Sequence, residues 1–118
     1  MDIDSFRNYC LAKKGVTEEL PFGPDALVFK VMGKMFALAA LESIPFQVSL
    51  KCDPEKALTL RDEYPDQIEG AYHMNKKHWN SLQVESLPPQ LVRELTDHSY
   101  LLVVSGLTKK LQQELQNL

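Results

Sequence analysis

Apolar residues cluster in strand-like runs between positions 26 and 51, alternating cleanly with polar ones at 45–51, and recur with a helical period in the segments on either side. Leu27, Phe29 and Val31 share one side of a strand over 26–32, with Val28 and Lys30 on the other. A second strand, 35–41, follows across Gly33-Lys34, a connection suited to a hairpin. The run 45–51 alternates cleanly, with Phe46, Val48 and Leu50 pointing one way and Gln47, Ser49 and Lys51 the other. That pattern predicts a sheet covered on one face only. Trp79 to Val84 reads as a fourth strand with Leu82 and Val84 inward.

The helical segments carry their own punctuation. Asp2 or Asp4 can cap a first helix through Phe6, Tyr9, Cys10 and Lys13, with Gly15 as its left-handed stop. Pro21, Gly23 and Pro24 then predict a loop over 17–25. Asp53-Pro54-Glu55 opens a second helix: a capping carboxylate, a proline in the first turn and an acid on the positive end of the dipole. It should run to about Glu63, burying Ala57, Leu58 and Leu60, and stop at Pro65. Residues 66–78 look irregular. Pro88-Pro89 opens a long helix to about Val104, ended by Gly106, and Thr108 caps a short last helix carrying Leu111 and Leu115. The order α-β-β-β-α-β-α-α predicts a two-layer α+β fold, a mainly antiparallel sheet with helices packed on one face.

Length and charge narrow the classes. A chain of 118 residues buries about two-thirds of its unfolded surface, enough for one core, so residues 1–118 are expected to form a single domain. The longest apolar run, Met35 to Leu41, is far short of the ~20 residues of a membrane helix. Asp2 and Asp4 stand where a signal peptide would be positive, so the expected location is the cytoplasm, with no membrane partner. Cys10 and Cys52 match no zinc spacing and are expected to be two free, buried thiols. Net charge is −3 and the pI about 5.6, which argues against sequence-blind coating of DNA. The charge is divided, however. Residues 53–69 hold six acids against two bases, whereas residues 71–81 carry +2.

The densest set of reactive groups lies in that basic stretch, Tyr72-His73-Met74-Asn75-Lys76-Lys77-His78-Trp79-Asn80. Lysines and imidazoles beside aromatic rings are the chemistry that positions phosphates and stacks on bases. The plainer alternative is a solvated turn leading into a strand anchored by Trp79. His73 and His78 are five apart, which a helix would splay, so no metal is expected. His98 falls at the apolar edge of the long helix and reads as a hydrogen-bonded packing residue. The five glycines are too scattered for a phosphate loop, and no serine sits in a nucleophile elbow. No cofactor and no enzymatic activity are expected.

With these residues in view, the chain resembles the YjbR/MmcQ family of small bacterial proteins over about residues 3–112. Three pieces in order carry the likeness: Ser49-Leu50-Lys51-Cys52-Asp53-Pro54-Glu55, the run Tyr72 to Asn80 with Asn75-Lys76-Lys77-His78-Trp79 at its heart, and Asp97-His98-Ser99-Tyr100 with Leu102-Val103-Val104 and Gly106-Leu107. The resemblance implies a two-layer fold similar to frataxin and secretion-chaperone domains, and a DNA-binding role. The chain departs from the family pattern in the acids of Pro65-Asp66-Gln67-Ile68-Glu69-Gly70 and in its C-terminus, which has no basic tail.

The expected partner is therefore DNA, held weakly and in a salt-dependent way. Lys51, Lys76, Lys77 and His78 would meet phosphates, Trp79 or Tyr72 would offer a stacking surface, and Asn75 belongs to the same run. The alternative is a protein-binding adaptor that uses an exposed sheet face or edge strand.

Overall fold

A computed structural model describes residues 1–71 and 74–118. Helix α1 (Ile3–Leu11) is followed by strands β1 (Val16–Glu19), β2 (Ala26–Val31), β3 (Lys34–Ala40) and β4 (Gln47–Lys51). Helix α2 (Pro54–Glu63), strands β5 (Ile68–Gly70) and β6 (Trp79–Gln83), a 3-10 turn (Val84–Ser86) and helices α3 (Pro89–Ser105) and α4 (Lys109–Gln116) complete the chain. The strands form one sheet in the order β1-β2-β3-β4-β6-β5, antiparallel throughout. The fold is α+β, as the patterning predicts. No helix among the described residues is long and apolar enough to cross a membrane.

Register explains the core. Leu27, Phe29, Ala37, Ala39, Val48, Leu50, Leu82 and Ile68 are matched across neighbouring strands on one face. Helix α3 crosses this face over β3 and β4 with Val92, Leu95, Ser99 and Val103 buried. From α1, the Phe6 ring meets Phe29 and Phe46 edge-on, with centroids 5.9 and 6.4 Å apart. The opposite face bears Leu38, Gln47, Ser49, Lys51, Trp79 and Ser81, and among the described residues no helix packs over it.

One irregularity is built into β3. Phe29 pairs with Ala37 but Lys30 pairs with Met35, so Phe36 is an extra residue, and both Phe36 and Ala37 are buried. The bulge takes the Phe36 carbonyl out of the regular ladder and leaves it for α3.

The structure corrects several expectations. Residues 16–19 form a strand where only a loop was expected beyond Thr17; the polar sequence Val-Thr-Glu-Glu suits an edge, with Glu18 turned to Arg7 of α1 and Glu19 to Lys30. Ile68–Gly70 adds a three-residue edge strand in the stretch expected to be irregular. Both weak sequences are held by pairing with stronger neighbours. The β2–β3 turn is Met32-Gly33, not Gly33-Lys34, since Val31 pairs with Lys34 and both turn residues have positive φ. Leu58 is 58 % exposed, because α2 shows its Ala57 and Leu60 side to the sheet edge.

The helix caps follow the expectations. Asp2 accepts from the Ser5 N–H at 2.8 Å, Asp53 from Lys56 at 3.2 Å and Thr108 from Leu111 at 3.2 Å. Cys10 and Cys52 are free and buried, and burial pushes the Cys10 thiol up to about 12. Asp53→Ala should lower stability by ~0.5–2 kcal/mol through loss of the cap. Denaturant titration measures this, and an unchanged midpoint would remove the cap from the account of α2.

Candidate nucleic-acid interface

The described part of the basic run, residues 74–80, leads from β5 into β6, and hydrogen bonds hold the backbone of its turn. The Asn75 carbonyl accepts from the N–H groups of His78 and Trp79, at 3.0 and 2.9 Å. The Asn75 side-chain oxygen accepts from the Lys77 N–H at 3.0 Å. These bonds make 75–78 a closed turn that delivers Trp79 into β6. At its far end, the His78 carbonyl accepts from the Cys52 N–H at 2.7 Å, tying the turn to the end of β4.

A side chain from α2 completes the anchorage. Arg61 donates through Nε to the Asn80 Oδ1 at 2.8 Å and through a terminal nitrogen to the Lys76 carbonyl. Asn80 is buried on the covered face of β6, and its Nδ2 donates to the Ala57 carbonyl at 3.3 Å. Gly70 makes room for this arrangement: a Cβ there would lie 3.3 Å from the Arg61 Cζ and 3.3 Å from the Lys76 Cβ. Arg61 is the residue that sequence reasoning missed, where it counted only as a base among the acids of α2. The signal was available in a partial form, as an arginine one helical turn beyond Ala57 and a glycine in the following strand.

Against this frame the predicted residues divide. Asn75, Lys76 and Lys77 are exposed, and His78 and Trp79 are half-buried. Lys51 sits directly across β4–β6 from Trp79, on the open face of the sheet. It also lines a cleft of about 210 Å³ with Lys34, Met35 and the last turn of α3. Tyr72 and His73 lie outside the described residues. Lys30, also on the open face, is paired with Glu19 at 2.9 Å. The structure thus brings Lys51, Trp79 and the 75–78 turn to one end of the sheet, with Asn75 working as the turn's internal clamp. Among the described residues no three His, Cys, Asp or Glu side chains cluster as a metal centre requires.

The run Asp97-His98-Ser99-Tyr100 has a different task. Asp97 accepts from the Tyr9 hydroxyl at 2.7 Å and pairs with Lys13. Ser99 Oγ donates to the bulged Phe36 carbonyl at 2.5 Å and accepts from the Lys51 N–H at 2.9 Å. Tyr100 donates to the Lys14 carbonyl at 2.6 Å while its ring meets Phe36 edge-on. His98 Nε2 accepts from the Asp53 N–H at 3.1 Å, at the N-terminus of α2. Four consecutive residues therefore tie α3 to α1, to the start of α2 and to β3 and β4. His98 is the hydrogen-bonded packing residue that the sequence suggested.

Comparisons with known proteins place the whole chain among relatives. The YjbR family model matches residues 11–102. The uncharacterized protein YbdF of Escherichia coli O157:H7 is 45% identical over 98 residues, covering 81% of this chain and 79% of that protein. The uncharacterized protein YjbR of E. coli K12 is 35% identical over 102 residues, 85% of either chain. Among solved structures, protein DR2400 of Deinococcus radiodurans superposes with a TM-score of 0.90 at 38% identity, covering 97% of this chain and 87% of its own. A protein from Pseudomonas syringae gives a TM-score of 0.71 at 27% identity, over 84% of this chain and 96% of its own.

Two outcomes follow for the frame around the turn. Arg61→Ala leaves the buried Asn80 carbonyl oxygen short of its donor and should cost ~1–3 kcal/mol, with faster amide exchange at Lys77, His78 and Trp79. Exchange rates matching wild type would show that Arg61 does not hold the turn. His98 provides a pH test. Burial, and then the Lys56 charge, lower its pKa below the ordinary 6.5, outweighing the opposing effect of Asp53. A folded-state value below the unfolded one means that protonation favours unfolding. The His98 contribution is complete above pH ~6.5 and is lost as pH falls through the folded value. Thermal midpoints between pH 7.5 and 5 should fall less for His98→Gln, which keeps an acceptor and removes the titration. Parallel curves for the two proteins would exclude His98 as a source.

Proposed function

The chain belongs to the YjbR family, and on that footing we propose that it is a non-enzymatic DNA-binding protein that holds phosphates through the exposed turn at 75–78. The observation that carries this reading is a pair of exposed neighbouring lysines, Lys76 and Lys77, on a backbone clamped by Asn75 and Arg61. Charges on an already ordered turn meet a ligand without the entropy cost of ordering a loop. Lys51 and Trp79, adjacent across β4 and β6, add a cation and an aromatic surface at the same end of the sheet. The protein works in the cytoplasm on this reading, where its ligand is. The net charge of −3 keeps affinity low, in the ~10⁻⁴–10⁻⁶ M range of non-specific binding.

Contacts from Lys51, Lys76 and Lys77 release counterions, so log affinity should fall against log salt with a slope of about −2 to −3. The Lys76→Glu, Lys77→Glu double variant should lose most of that slope at an unchanged melting midpoint. Fluorescence anisotropy with a labelled duplex and a labelled single strand, at several salt concentrations, measures both. Wild-type protein that binds neither at low salt overturns the reading, and the adaptor function then takes its place, with a polypeptide engaging the open face or an edge strand.

A further inference from the structure

The open face of the sheet is not flat. Phe22, from the Pro- and Gly-rich loop between β1 and β2, and Met74, just ahead of the basic turn, stand over β3 and close a groove of about 480 Å³. Phe22 is 71 % exposed, an aromatic ring held at the surface. The groove floor divides along its width. On the β2–β3 side it is Ala26, Leu38 and Ala40, all apolar. On the side of β4, β6 and β5 it is Gln47, Ser49, Ser81 and Glu69. Ser49 and Ser81 sit opposite one another, with hydroxyls 3.3 Å apart, and Glu69 is opposite Ser81 in turn.

A floor apolar along one side and lined with hydrogen-bonding groups along the other suits a flat heterocycle, whose faces are apolar and whose edge carries donors and acceptors. Position decides which heterocycle. Met74 precedes Lys76 and Lys77 by two and three residues, at most about 11 Å of chain. The groove and the lysines are therefore within reach of one nucleotide strand. Glu69 would repel a phosphate but accepts from exocyclic amino groups, so it belongs at a base edge rather than along the backbone.

Resting on the DNA-binding reading, we propose that the ligand is single-stranded DNA, with one unpaired base seated in this groove against Phe22 and Met74 while Lys76 and Lys77 hold the adjoining phosphates. A paired base cannot enter, because its faces are stacked and its edge is occupied. Glu69 favours bases with an amino group, so cytosine and adenine tracts bind better than thymine tracts. Gln47 and the two serine hydroxyls bond to the remaining edge positions.

The test uses anisotropy at low salt with labelled dA, dC and dT oligonucleotides and a duplex of equal length. Wild type should bind the dA and dC strands more tightly than dT or duplex. Phe22→Ala should weaken single-strand binding by roughly 5- to 150-fold, the range for losing one base–aromatic stack. Duplex affinity and the melting midpoint should not change, since Phe22 is exposed. Glu69→Gln should narrow the preference for dC over dT. If Phe22→Ala binds single strands as wild type does, or if duplex and single strand bind alike, the groove proposal falls. The lysine reading survives that result provided the salt slope still depends on Lys76 and Lys77. If no strand is bound at all, both fall together.

Discussion

The Ser99 hydroxyl is the point at which the helical layer is registered on the sheet. It is fully buried, donates to the carbonyl that the Phe36 bulge releases from β3, and accepts the N–H of Lys51 in β4. A buried hydroxyl must find partners or cost stability, so α3 can sit in one translational position only. Its neighbours then have no freedom left. Asp97 reaches Tyr9 and Lys13, His98 reaches the N-terminus of α2, and Tyr100 reaches Lys14 and the Phe36 ring. The bulge and the serine are one device in two halves. The run Asp97 to Tyr100 is therefore a set of fasteners.

The same economy appears at the basic run, where architecture and surface chemistry share consecutive residues. Asn75 and Asn80 face inward or close the turn, while Lys76 and Lys77 between them face outward. Arg61 joins the two asparagine-centred networks through the Lys76 carbonyl and Asn80. Its guanidinium is therefore committed to the frame. That helps to explain how an acidic protein can present a local positive site: the frame supplies rigidity, and the net charge limits how strongly any polyanion is held.

A sheet with helices on one face only leaves its second face as the natural place for a ligand. Here that face has an apolar half and a polar half, because β2 and β3 carry Ala26, Leu38 and Ala40 outward whereas β4 and β6 carry Gln47, Ser49, Lys51 and Ser81. The division was visible in part as strand alternation. The loop that brings Phe22 over it was not, because nothing in a Pro-Gly loop states where its aromatic will rest.

Local physics was enough for much of the molecule. Strand-like runs within 26–51 and at 79–83, the capping carboxylates at Asp2 and Asp53, the Thr108 cap and the proline at the start of α3 each depend on neighbours within about four residues, and each was legible in the chain. The one-sided sheet followed from the same alternation. The charge division between 53–69 and 71–81 was likewise readable from composition. Tertiary structure decided the rest. Val16–Glu19 and Ile68–Gly70 become strands only because β2 and β6 offer hydrogen bonds along their edges. Leu58 points outward because α2 lies at the end of the sheet, where a helix needs only one narrow apolar stripe. Arg61 meets Asn80, and Ser99 meets Phe36, across separations of 19 and 63 residues. Pairings of that range leave no periodic trace, since the chain must close on itself before either partner acquires its neighbour.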